Sequence, residues 1–208
     1  MAPRKIIFWE VDAQVDFMLP GGKLYVPGAE KIIPNIGRLA EAAREGRVFL
    51  VSSCDAHTAN DPEFEKFPRH CIRGTLGARI LAEGMTENAL RIPNDASFQL
   101  PEDVLNREQA VIEKQTLDVF DNPHAGALVE RLVEQLGGGA EYVVFGVATE
   151  YCVGLAAKGL AERGRKVAVV EDAIAALDPK AGRRTLEELQ ARGVRLISTE
   201  QALASVRG

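Results

Sequence analysis

Six short runs rich in β-branched and aromatic residues alternate with amphipathic stretches along most of the chain, and this alternation limits the possible folds more tightly than any other feature. The runs are KIIFWEVD (5–12), RVFLVSS (47–53), QAVIEK (109–114), EYVVFGV (141–147), KVAVVED (166–172) and GVRLIS (193–198). Between most of them, AEKIIPNIGRLAEAAREG, PHAGALVERLVEQLGGG, EYCVGLAAKGLAERG and PKAGRRTLEELQARG carry apolar residues at three- and four-residue spacing and end in Gly, a helix-stop signal. Pro34 falls near the start of its stretch, where a missing N–H costs least. Near-continuous apolar strands alternating with helices predict a parallel sheet covered on both faces. The stretch from Cys54 to Asn106 breaks the pattern, with turn-forming residues and only a weak strand at ALRIP. A loop of that size inside a compact domain forms a lid, a binding loop or a site wall. No repeat, low-complexity tract or linker divides the chain, so one domain over residues 1–208 is expected.

Composition excludes several functions. A chain of 208 residues that is 46% hydrophobic can bury a sizeable core, roughly 70% of its unfolded surface. The net charge of −5, with signs interspersed, leaves no basic stripe for a phosphate backbone, so nucleic acid is not an expected partner. No apolar run approaches the ~20 residues of a membrane span, and MAPRKIIFWEVD lacks the apolar core and cleavage site of a signal peptide. A cytoplasmic protein without a membrane partner is expected. The three cysteines, Cys54, Cys71 and Cys152, are odd in number and form no CxxC pair, so the thiols serve packing or chemistry.

In such sheets ligands bind outside the carboxyl ends of the strands. Asp12 ends the first run, Asp55 follows the second, Lys114 ends the third and Cys152 follows the fourth, so four reactive side chains are expected on one rim. Cys152 also falls in the first turn of the next predicted helix, where free N–H groups and the dipole favour a thiolate, and Lys114 pushes the same way. The expectation is an ionised thiol, open to ligand, beside a carboxylate and an ammonium. Such a thiolate can attack an amide carbonyl. Asp12 can pass a proton to the leaving nitrogen and later take one from water, while Lys114 holds the ion pair. Singly, each residue has a plainer reading: Asp12 as a turn former, Lys114 as a solvated strand end, Cys152 as a small buried hydrophobe. Their joint placement favours chemistry.

A second constellation is Asp55, His57 and His70. A carboxylate with two imidazoles is a common set for zinc and also suits iron or manganese. Asp55 and His57 are two apart, so on an extended segment they point the same way, and His70 must return from the loop. His124, in NPHAGAL, is expected to play a structural or rim role, and Cys54 and Cys71 to pack.

VDAQVDF (11–17) followed by LPGGKLYV, then DAH (55–57), FPRHCIRGTLGA (67–78), EK (113–114) and GVATEYCV (146–153) resemble the nicotinamidase and isochorismatase-like cysteine hydrolase superfamily in order and spacing, over nearly the whole chain. The resemblance implies a three-layer α/β/α sandwich with a six-stranded, mainly parallel sheet, and a triad of Asp12, Lys114 and Cys152. It also implies a cis peptide at Val147–Ala148 and an oxyanion hole made by the N–H groups of Ala148 and Cys152. A divalent metal on Asp55, His57 and His70 is implied too, with a fourth ligand from the intervening loop in some members. Here Glu63, or at longer reach Glu65, can supply it. Phe17, Phe67 and Phe120 can sandwich a flat ring. Phe67 stands three positions before His70, where nicotinamidases commonly carry Trp, and KQTLDVFDNP follows where a Tyr-Ser pair is frequent.

The implied function is hydrolysis of nicotinamide to nicotinate and ammonia by a homo-oligomer, a dimer or a tetramer. Cys152 argues against siderophore-type isochorismatase chemistry, which cleaves a vinyl ether without a thiol, and the metal trio argues against N-carbamoylsarcosine-type amidohydrolases. Alternatives are a sibling hydrolase of another small amide, or a catalytically silent member that binds ligand or assembles. A dinucleotide oxidoreductase is excluded because VDAQVDF stands where GxGxxG would follow the first strand.

Overall fold

A computed structural model describes residues 5–206; residues 1–4 and 207–208, which the expected domain and the reading of the N-terminus include, lie outside the described residues. The elements follow in the order β1 (Ile6–Val11), α1 (Val15–Met18), α2 (Ile33–Arg44), β2 (Phe49–Asp55), β3 (Ala89–Ile92), β4 (Gln109–Lys114), α3 (Ala125–Gln135), β5 (Glu141–Val147), α4 (Gly154–Glu162), β6 (Lys166–Ala175), α5 (Pro179–Ala191), β7 (Arg195–Ile197) and α6 (Thr199–Ala204). Every strand pairing is parallel, and the sheet order is β3-β4-β2-β1-β5-β6-β7.

The sheet has seven strands where six were expected. The extra one is the weak ALRIP run, which adds to the edge beside β4 from Ala89 opposite Gln109 to Ile92 opposite Ile112. Three of its four residues keep solvent contact, so its apolar signal is thin.

The inner strands are apolar on both faces because both are covered. All six residues of β1 are buried. Ile6 and Phe8 pack beneath α2 and α6 with Ile36, Leu39, Ala43 and Leu203. Ile7, Trp9 and Val11 face the other way, toward Leu128 and Leu132 of α3, Leu160 of α4 and Leu189 of α5. Each large apolar side chain so buried contributes roughly 1.5–3 kcal/mol. The helices begin where local chemistry allows: Asp178 caps α5 by accepting from the Lys180 N–H at 2.8 Å, and Ser198 with Gln201 forms a reciprocal capping box on α6.

The motif VDAQVDF fastens the long irregular region to the sheet. The Gln14 amide donates to the carbonyls of Asp55 (2.8 Å) and Ala78 (2.9 Å) and accepts from the Asp55 N–H (2.7 Å). Asp16 accepts from the Lys23 N–H at 3.0 Å and the Cys71 N–H at 2.8 Å. These bonds order a segment that has few regular hydrogen bonds of its own, and they hold the backbone beside His70. Gly146 serves close approach: at φ +117, a Cβ there would stand 2.1 Å from the Val11 carbonyl oxygen.

Candidate active site

Four adjacent strands, β4, β2, β1 and β5, end side by side at the carboxyl edge. Asp12 follows β1, Asp55 closes β2, Lys114 closes β4, and Cys152 lies in an irregular wide turn, Thr149–Val153, between β5 and α4. The Lys114 ammonium touches Asp55 Oδ1, lies 2.9 Å from Asp12 Oδ2 and 3.5 Å from Cys152 Sγ. All four side chains are buried. Ser53 Oγ donates to Asp12 Oδ1 at 2.7 Å, while Oδ2 faces the ammonium without a well-aligned hydrogen bond. Asp12 has φ 49, a left-handed conformation that Asp tolerates better than most residue types. The Val147–Ala148 peptide is cis, and both residues border the same pocket as Cys152.

The electrostatics differ from the expected ionised thiol. Burial pushes the Cys152 thiol well above its ordinary range; Lys114 opposes this, and Asp12 and Asp55 add to it. Two physical reasons account for the difference. Cys152 precedes α4, whose first residue is Gly154, so it does not occupy the first turn of a regular helix. The ammonium is also shared with two carboxylates. Burial raises the Asp12 carboxyl against the pull of Lys114. Burial disfavours the Asp55 anion as well, but Lys114 and the imidazoles of His57 and His70 outweigh it and hold this carboxyl below its usual range. Lys114 is desolvated yet held charged by Asp12 and Asp55. Asp12 is placed to hold the thiol proton when the sulfur attacks.

Asp55 also links this cluster to a second one. Asp55, His57, Glu63 and His70 each offer a ligand atom, all within 4.8 Å of one another. Asp55 Oδ2 lies 3.3 Å from His70 Nε2 and 3.5 Å from His57 Nε2; Glu63 Oε1 lies 3.7 and 3.9 Å from the same nitrogens. Both ring nitrogens of His57 are buried without a well-aligned hydrogen bond among the described residues. Two carboxylates and two imidazoles converging there fit a divalent cation, and the donor set suits zinc, iron or manganese. Glu63 is brought in by the 3-10 turn Pro62–Glu65, whereas Glu65 is exposed and takes no part. Behind the rings, His70 Nδ1 lies 2.7 Å from the Pro68 carbonyl and His57 Nδ1 lies 3.2 Å from Asp61 Oδ2. Asp61 was missed from sequence, although Asp-Pro before Glu is a turn-starting signal.

Asp12 and Cys152 form the floor of a partly open pocket walled by Phe17, Leu24, Val26, Phe67, Leu117 and Leu177. Phe17 and Phe67 line this pocket. Phe120 stacks on Trp9 with ring centres 6.0 Å apart, carries the Arg163 guanidinium 3.7 Å from its centre, and lies with its edge against Gly159. The Val119–Asp121 turn lays it against α4, and it does not line the pocket. Leu24 and Val26 belong to LPGGKLYV and Leu117 to KQTLDVFDNP, but nothing in the composition of those runs, or of the loop that carries Leu177, shows that these side chains turn into the pocket. His124 sits at the head of α3 with Nε2 2.8 Å from the Asp95 carbonyl, a structural contact. Cys54 packs with Ile80 and Val111, Cys71 lies 3.8 Å from the Gly77 carbonyl, and burial raises both thiols.

The family model for the isochorismatase domain matches residues 7–201. This chain belongs to the isochorismatase family. A nicotinamidase of Acinetobacter baylyi is 26% identical, covering 93% of this isochorismatase-family chain and 92% of the relative. A protein of Arabidopsis thaliana named "Probable inactive nicotinamidase" is 24% identical, covering 89% and 88%. The crystal structure of the pyrazinamidase of Pyrococcus horikoshii in complex with zinc has a TM-score of 0.72 at 27% identity, covering 93% of this chain and 99% of that one. The isochorismatase family includes amidohydrolases, nicotinamidase among them. Among the described residues no helix is long and apolar enough to cross a membrane.

Proposed function

We propose that the chain is a metal-containing cysteine amidohydrolase that converts nicotinamide and water to nicotinate and ammonia. The observation that carries this reading is the Cys152 sulfur 3.5 Å from an ammonium that also contacts Asp12 and Asp55, on the floor of an apolar pocket. Phe17 and Phe67 hold the flat ring, adding roughly 1 kcal/mol beyond burial. Asp12 takes the thiol proton as sulfur adds to the carboxamide carbon. The N–H groups of Ala148 and Cys152 receive the developing oxyanion, each such donor being worth about 3 kcal/mol. Asp12 then protonates the nitrogen, the C–N bond breaks and ammonia leaves a thioester. A water gives its proton to Asp12, adds to the thioester carbonyl and displaces the sulfur, which takes the proton back as the acid is released. Lys114 keeps Asp12 and the sulfur in register throughout.

Asp55, His57, Glu63 and His70 would hold zinc, iron or manganese, which when bound supplies Lewis-acid charge to a substrate lone pair. The reading extends to a cytoplasmic, single-domain chain that assembles as a dimer or tetramer, which light scattering measures.

Ammonia release from nicotinamide by the purified protein, with Cys152→Ala as control, tests the proposal. Release from another small amide only would move it to a sibling activity. Absence of release across an amide panel, together with equally slow iodoacetamide labelling of Cys54, Cys71 and Cys152, would establish the silent alternative.

A further inference from the structure

Asp61 stands outside the four converging ligand atoms, yet its two oxygens reach two of the residues that supply them. Oδ1 accepts from the Glu63 N–H at 3.1 Å and so caps the turn that carries Glu63. Oδ2 lies 3.2 Å from His57 Nδ1, on the far side of the ring from Nε2, which points at Asp55 and Glu63. Both residues are buried, and the His57 ring is wedged between Phe64 and His70, with ring centres 5.1 and 4.8 Å away. The arrangement behind His70 is simpler, because a backbone carbonyl meets its Nδ1.

We infer that Asp61 is a positioning residue for the cation site, one carboxylate setting both the tautomer of His57 and the placement of Glu63. This rests on the metal-site reading above. Asp61 Oδ2 approaches Nδ1 to 3.2 Å without a well-aligned bond, and a carboxylate facing that nitrogen favours the hydrogen there, which leaves the Nε2 lone pair free for a cation. A ligand imidazole whose outer nitrogen loses such a partner binds metal 10–100-fold more weakly. The cap adds a second contribution, because without it the Pro62–Glu65 turn no longer has its first N–H satisfied.

Asn at position 61 is the informative substitution. Its single oxygen can serve Glu63 or His57 but not both, and with the cap kept its amide N–H2 faces Nδ1 and favours the opposite tautomer.

The test uses the full chain stripped of metal, with zinc affinity measured by competition against a chromophoric chelator and the His57 tautomer read by long-range proton–nitrogen NMR. The expected result is tight zinc binding by wild type and loss of binding in His57→Ala. Asp61→Ala and Asp61→Asn should each weaken binding at least tenfold, and His57 should change from the Nδ1–H to the Nε2–H form in Asp61→Asn. Asp61→Ser, which keeps a cap but is too short for His57, should lie between wild type and Asp61→Ala. Zinc affinity within threefold of wild type in Asp61→Asn, or an unchanged His57 tautomer, overturns the inference while leaving the metal site standing. Failure of the wild-type chain to bind zinc, iron or manganese overturns both.

Discussion

The ammonium of Lys114 and the carboxylate of Asp12 meet at 2.9 Å with both side chains shut off from solvent. The same ammonium touches Asp55, so removal of one positive charge leaves two carboxylates facing each other in a dry site. Breaking a buried pair from one side typically costs 3–5 kcal/mol. Lys114→Met is expected to lose about that much stability in urea unfolding, reduced to the extent that Asp12 takes up a proton. It should also lose at least ~1,000-fold in turnover, since Asp12 and the Cys152 sulfur are then no longer held together. Turnover within tenfold of wild type would remove Lys114 from the mechanism.

Glu10 offers a pH effect independent of the reaction. It is fully buried on β1; Ser52 Oγ donates to its Oε2 at 2.6 Å, and Oε1 has no partner among the described residues. Burial raises this carboxyl from 4.5 to about 8, with Ser52 opposing and Asp12 adding. The unfolded chain ionises Glu10 above its ordinary value, whereas the folded chain keeps the proton. Its contribution to stability is thus complete below pH 4.5 and is lost progressively as pH rises to about 8. Glu10→Gln removes this dependence. Its Tm advantage over wild type should be small at pH 5, grow by several degrees toward pH 8 and level off above, a swing on the order of 4 kcal/mol. An advantage that is the same at pH 5 and pH 8 would show that Glu10 does not carry the proton.

Metal removal should be visible in stability as well as turnover. A cation that binds only the folded state at a hundred times its Kd adds about 2.7 kcal/mol. Dialysis against a chelator is expected to lower Tm by roughly 5–10 °C, and added zinc should restore it. His70→Ala should abolish the response. A Tm indifferent to chelator and to added metal would leave the four-residue cluster without its ion.

The two phenylalanines separate binding from packing. Phe67 lines the pocket, and Phe67→Ala is expected to raise KM about tenfold with Tm little changed. Phe120 lies between Trp9 and Arg163, and Phe120→Ala should cost about 2 kcal/mol of stability with KM unchanged. An exchange of these phenotypes would contradict the placement of both rings.

The contrast between these rings shows how far sequence reaches. Periodicity marks β1 and β5 as buried strands because a strand covered on both sides has no polar face to interrupt it. Parallel strands put all their carboxyl ends on one edge, so Asp12, Lys114 and Cys152 could be assigned to one rim from their positions alone. DAH and His70 were visible as a donor set because ligand chemistry restricts residue types. Edge strand β3 was faint, since partial exposure dilutes its apolar signal. Leu177 and Leu117 enter the pocket through loops whose paths are set by packing against distant segments.

By itself, then, the order of residues determined the alternating elements, the shared strand-end rim and the kinds of side chain available there, all consequences of local spacing. Tertiary structure decided what depends on neighbours far away in the chain. It set the strand order that makes β4, β2, β1 and β5 adjacent, the direction in which Phe120 turns, the approach of Asp61 to His57, and the burial of Cys152. Desolvation and shared counter-charge are properties of the folded site, and burial pushes up a thiol that looks activated at the head of a helix, while the ammonium that opposes this also faces two carboxylates.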